Sequence, residues 1–214
     1  MARMTARRAV LGDWGRVVRD PLDIARLAFL AGAVAFGVNG DVKGAFNLGL
    51  GFAVLVAARL ADLPRVYDLA LIVAMTFTQV GEAIGLYDAV DWYDRVVHVV
   101  VPMLGAPVAY VALARAEVLP DPRDDTGLHR RRGIFIVTVA LGVAIGGLWE
   151  IAEWAADGTL GSNLSENNDD TVGDLIADTA GSCIGAGLLV LWTVKGWGSV
   201  RRIPGTNTRE ATDA

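Results

Sequence analysis

Apolar positions along the chain gather into six long stretches, approximately 22–38, 44–60, 66–87, 93–116, 133–156 and 171–195, separated by short polar connections. A helix rises about 1.5 Å per residue and a bilayer's hydrocarbon core is about 30 Å thick, so roughly 20 mostly apolar residues are enough to cross it. The pattern predicts an all-α protein, a polytopic transmembrane helix bundle of about six spans. The longest polar connection, 117–132, is too short to fold alone, so no second domain is expected. The organisation we read is a basic cytoplasmic tail over 1–21, a transmembrane helical domain over 22–195, and a second cytoplasmic tail over 196–214, expected to be disordered. Arg3, Arg7 and Arg8 precede the first apolar run, but no small-residue cleavage site follows it. It is read as a retained span rather than a removed signal peptide.

Composition agrees with that picture. Apolar residues make up 53% of the chain, glycine occurs 25 times, and the mean hydropathy is +0.43, all too high for an ordinary soluble domain. The formal net charge of -5 hides a separation by sign. If the N-terminus is cytoplasmic, every one of the 19 Lys and Arg residues except Lys43 and Arg95 falls on the cytoplasmic side. Positive charge accumulates there in membrane proteins, so both termini are expected inside. Tyr87, Trp92, Tyr93, Trp149 and Trp154 then mark the outer interface. The one cysteine, Cys183, lies within an apolar run and offers neither a disulfide nor a thiolate metal motif. No basic stripe with interleaved aromatics is present, so the bilayer, and not nucleic acid, is the expected partner; oligomeric state is left open.

Against this apolar background the acids stand out, because the topology brings them to one end. Glu82 lies in the last two turns of the third stretch, Asp94 and His98 begin the fourth, Glu150, Glu153 and Asp157 end the fifth, and Asp170, Asp174 and Asp178 begin the sixth. Residues three or four apart share one helix face. Asp94 with His98, Glu150 with Glu153 and Asp157, and Asp170 with Asp174 and Asp178 therefore each form a single stripe. Glycines continue the stripes: Gly142 and Gly146 below Glu150, Gly181 and Gly185 below Asp178, and Gly105 near the continuation below His98. Small residues at such intervals let helices pack closely in lipid, which turns the acid faces toward the bundle interior.

Ionisable groups at membrane depth are costly and face the interior or a wet cavity. Carboxylates converging there raise one another's proton affinity unless cations offset them. A divalent metal cation is the expected cofactor. Oxygen ligands with one imidazole suit Mg²⁺, Mn²⁺, Ca²⁺, Zn²⁺ or Fe²⁺ and not a thiolate-type Cu(I) site. The candidate ligands are Asp94, His98, Glu150, Glu153, Asp174 and Asp178, with Glu82, Asp170, Asp157 and Arg95 as additional candidates. Plainer roles stand beside these. Asp169 and Asp170 sit where aspartates cap helices, Asp94 and His98 could serve only in an interhelical hydrogen bond to another helix, Glu82 could belong to a polar patch with Gln79 and Thr78, and Arg95 could pair with an acid or grip a phosphate.

Three segments carry a family resemblance: Trp92-Tyr93-Asp94-Arg95-Val96-Val97-His98, Trp149-Glu150-Ile151-Ala152-Glu153-Trp154, and Asn168-Asp169-Asp170-Thr171-Val172-Gly173-Asp174-Leu175-Ile176-Ala177-Asp178. Over about residues 65–190 the chain resembles the YjdF-like family of largely uncharacterised bacterial inner-membrane proteins, and more distantly the VanZ-like proteins. The resemblance implies a multi-pass protein of the plasma (bacterial inner) membrane and supplies no reaction. The VanZ-like pattern has Asp-Lys where this chain has Asp94-Arg95.

Three functions compete on these residues. A metal-dependent hydrolase or transferase would act on a lipid or lipid-linked substrate at the outer leaflet, the ion polarising an oxygen or activating water and a spare carboxylate serving as base. A cation- or proton-coupled carrier would use the same groups as a transient site, although no polar path toward the cytoplasmic side is evident. A structural or sensory protein would use the ion to pin helix ends together.

Overall fold

The computed structural model describes residues 21–61, 63–122, 128–160 and 168–195. The predicted tails therefore lie outside the described residues, except for Pro21. The rest is helical, and among the described residues there is no strand. Helix α1 spans Pro21–Val38, α2 Val42–Leu60, α3 Arg65–Met75, α4 Gly81–Ala83, α5 Leu86–Ala89, α6 Tyr93–Arg115, α7 Leu128–Leu160 and α8 Asn168–Val194, with a π turn over Thr76–Val80 joining α3 to α4.

Five of these helices, α1, α2, α6, α7 and α8, are long and apolar enough to cross a membrane. The sixth expected stretch, 66–87, is built differently. It is one helical segment from Arg65 to Ala83 interrupted by the π turn, after which Gly85 adopts φ +73 and starts the short α5. Glycine takes that left-handed conformation without steric cost and so ends the segment there. The buried side of the segment records the interruption. Tyr67, Leu71 and Ala74 follow helical spacing, and the next buried residue is Gln79, five positions on.

Short connections set the helices antiparallel. Between α1 and α2 the chain reverses at Gly40, with φ +82, and Asp41 caps α2 by accepting a hydrogen bond from the Gly44 N–H at 2.9 Å. Pro21 opens α1 and Pro64 precedes α3, positions where a missing N–H costs a helix nothing. Helices α6, α7 and α8 pack chiefly on one another, α1 packs chiefly on α2, and α3 touches both groups. The apolar core, including Leu55, Tyr67, Ile72, Val111, Ile134 and Leu189, sits toward the end where α2 finishes and α3 begins. The opposite end, where α6 and α8 begin, is left to polar side chains.

Candidate functional site

Close helix contact comes first, and glycine permits it. A side-chain carbon at Gly181 would strike the Val99 carbonyl, and one at Gly185 the Met103 carbonyl, so α8 lies directly on the α6 backbone. On the other side of α8, a carbon at Gly146 would run into the Asp178 carboxylate and one at Gly142 into the Ser182 hydroxyl. The expected stripes are thus contact faces, with one correction. Gly105 meets nothing within 4 Å, so no neighbouring helix closes on it.

These contacts bring one side chain from each of three helices together. His98 of α6, Glu150 of α7 and Asp178 of α8 form a buried group with ligand atoms within 4.8 Å of one another, and Asp94, His98 and Asp174 form a second such group. His98 Nδ1 lies 3.1 Å from Asp178 Oδ1. His98 Nε2 faces Asp94 at 3.6 Å and Glu150 Oε1 at 3.8 Å, too far for hydrogen bonds. Pro102, one turn further along α6, has no N–H to offer the His98 carbonyl, so the helix is loosened beside the imidazole.

Around this centre the other oxygens are partly committed. Glu150 is hydrogen-bonded to Thr171, and Ser182 donates to the Asp178 carbonyl at 2.6 Å. Yet Glu150 Oε1 and Asp178 Oδ2 are buried without a hydrogen-bond partner. Two donors each about 2.1 Å from a common ion lie between about 3.0 and 4.2 Å apart, depending on the bond angle. The Nε2 separations from Asp94 and Glu150 fall in that interval. An Nδ1 hydrogen bond to a carboxylate is also how metal-ligating histidines are commonly oriented, leaving Nε2 free to ligate.

The remaining candidates belong to neither group. Glu153 is hydrogen-bonded to Trp149. Asp157, half-buried further along α7, has an interaction of its own. Arg95 lies 3.3 Å from Asp174 and 3.5 Å from Asp170. Glu82 pairs with Lys43 of α2 at 2.5 Å. Trp92, Trp149 and Trp154 are exposed, as an interfacial belt requires, whereas Tyr93 is buried. Its ring fills the space over Gly81 and its hydroxyl donates to the Phe77 carbonyl in the π turn at 2.7 Å. Tyr93 therefore anchors the start of α6, immediately before Asp94.

A second buried ionic cluster was not anticipated. At the opposite end Arg26 of α1 pairs with Asp23 at 2.8 Å and with Asp68 of α3, and its Nε donates to the Leu55 carbonyl at 3.2 Å. Arg59 of α2 reaches Asp23 at 2.9 Å. The available signal was Asp23 and Arg26, opposite charges three apart within an apolar run. In the sequence Arg59 is one more basic residue on the cytoplasmic side.

Compared with known proteins, residues 24–195 match the family described as predicted membrane protein (DUF2238). No curated protein and no solved structure matches. The match agrees with the YjdF-like reading at the level of a membrane-protein family, and nothing found carries the more distant VanZ-like likeness.

Proposed function

The chain belongs to the DUF2238 family of predicted membrane proteins, and on that footing we propose that it holds one divalent cation within the buried group of His98, Glu150 and Asp178. The single observation that carries this reading is the pair of buried carboxylate oxygens, Glu150 Oε1 and Asp178 Oδ2, that lack a hydrogen-bond partner beside a histidine. A buried acceptor left unpaired costs roughly 1–3 kcal/mol and more if charged, so a cation in the gap supplies what the protein does not. Asp178 meets the imidazole Nδ1 through Oδ1 and leaves Oδ2 for the ion, while Asp94 and Asp174, grouped at the same histidine, complete the acidic wall.

The activity that fits this arrangement is hydrolysis or group transfer on a lipid-linked substrate. A bound divalent cation supplies Lewis acidity toward a phosphoryl or acyl oxygen. Asp94, whose side chain is 39% exposed, is placed to accept a proton from water at the site's edge. The distribution of Lys and Arg supports an extracytoplasmic site in a bacterial inner membrane with both termini inside. Elemental mass spectrometry of the protein purified in detergent tests the centre. Stoichiometric metal in the wild type, lost in His98→Ala and Asp178→Asn variants that keep their helical content, is the expected result. A wild type that takes up no Mg²⁺, Mn²⁺ or Zn²⁺ at any pH from 6 to about 9, across which an ordinary imidazole loses its proton, overturns it.

A further inference from the structure

We infer that Arg95 is the anchor for a phosphate group beside the cation, so that the ligand of this site is a phosphate-bearing molecule; the inference rests on the metal reading above. The argument begins with access. His98, Glu150, Asp174 and Asp178 are all buried, while the side chains of Asp94 and Arg95 are 39% and 47% exposed. A ligand approaching the Nε2 side of His98 therefore passes these two residues first.

Arg95 is held in place without being used up. Its guanidinium lies over Gly173, where any side-chain carbon would collide with it. Its contacts with Asp174 and Asp170, at 3.3 and 3.5 Å, are longer than the approximately 2.7–2.9 Å of a tight charge-assisted bond. The guanidinium has five N–H donors in a fork that matches phosphate oxygens, and half of the side chain faces outward. Exposed Trp92, Trp149 and Trp154, with Leu148 and Ile151, lie on the same segments. Tryptophan favours the headgroup level of a bilayer, the depth at which lipid phosphates reside.

Charge then makes a specific demand. Asp94, Glu150, Glu153, Asp170, Asp174 and Asp178 outnumber Arg95 and His98, so the metal-free site repels an anion. A divalent ion shifts that balance by two charges. Metal and phosphate must consequently bind with positive coupling, each tightening the other by the same factor.

The test uses full-length protein in detergent, stripped by chelator and titrated with Mn²⁺ by electron paramagnetic resonance against protein-free controls. Titrations run alone, with orthophosphate, with dihexanoyl phosphatidic acid, and with dihexanoylglycerol as the phosphate-free control. Mn²⁺ affinity of the wild type is expected to rise about tenfold with a phosphate compound and not with dihexanoylglycerol. Arg95→Gln should still bind Mn²⁺ alone but lose the gain, and Arg95→Lys should keep part of it. A gain with orthophosphate assigns free phosphate as sufficient; a gain with phosphatidic acid only assigns a lipid headgroup. No gain in the wild type, or an undiminished gain in Arg95→Gln, overturns the inference while leaving the metal centre standing. A wild type that binds no Mn²⁺ removes both.

Discussion

The bundle buries charge at both ends, and the two clusters are built on different principles. Where α1, α2 and α3 meet, Asp23 and Asp68 face Arg26 and Arg59, two acids against two bases, joined by short contacts and supported by the Leu55 carbonyl. Where α6, α7 and α8 meet, Asp178, Asp94 and Glu150 surround one histidine at separations of 3.1 to 3.8 Å, with Asp174 within 4.8 Å and Arg95 at the rim. Both clusters pay desolvation, but only the first repays it from within. A buried ion network that balances its own charge can serve as a staple. One that leaves carboxylate oxygens over is incomplete until something positive arrives, and that difference separates a structural role from a binding role more clearly than the number of acids does.

The comparison can be broken at either end. The largest effect is expected from Arg26→Met, which leaves Asp68 buried without its partner and should cost about 3–5 kcal/mol in denaturant unfolding followed by circular dichroism, with metal content unchanged. A variant as stable as the wild type would show that this cluster is not what fastens α1 to α3. Next comes Glu150→Gln, for which metal affinity should fall by about 10–100-fold. The metal-free protein should be as stable as before or more so, since a buried carboxylate with one oxygen unpaired has been replaced by a neutral amide. Destabilisation of the metal-free form by as much as Arg26→Met would mean that the two clusters do not differ in kind. The smallest effect belongs to Lys43→Ala. The Lys43–Glu82 pair is mostly exposed on the lysine side, at 70%, so its loss should cost less than about 1 kcal/mol by the same unfolding measurement.

Much of this was legible in the residues. Hydropathy gave the helices, because in lipid every backbone group must bond within its own segment and the apolar run lengths follow from bilayer thickness. The i,i+4 spacing of Asp94 and His98 and the glycines at 142, 146, 181 and 185 marked the converging faces, since both properties are local to one helix. Details that depend on partners from elsewhere in the chain were out of reach. The π turn shifts the phase of the third segment, and its Phe77 carbonyl accepts from Tyr93, sixteen residues on; no single-helix periodicity contains that. Tyr93 reads as an interfacial aromatic until Gly81 is seen beneath it. Asp68 reads as a charge at a span's entrance until Arg26, 42 positions earlier, is found against it.

The order in which the chain emerges gives the α1–α2–α3 cluster a history as well as a position. Synthesis delivers Asp23 and Arg26 first, then Arg59, and Asp68 last. Until Asp68 arrives, the α1–α2 hairpin carries one uncompensated positive charge, which resists being drawn across a bilayer. Asp68 cancels it, and the segment that carries Asp68 also holds Phe77 and Gly81 under Tyr93 at its far end. A single segment, α3 with the turn that follows it, thus ties the charge-balanced cluster at one end to the start of α6 at the other.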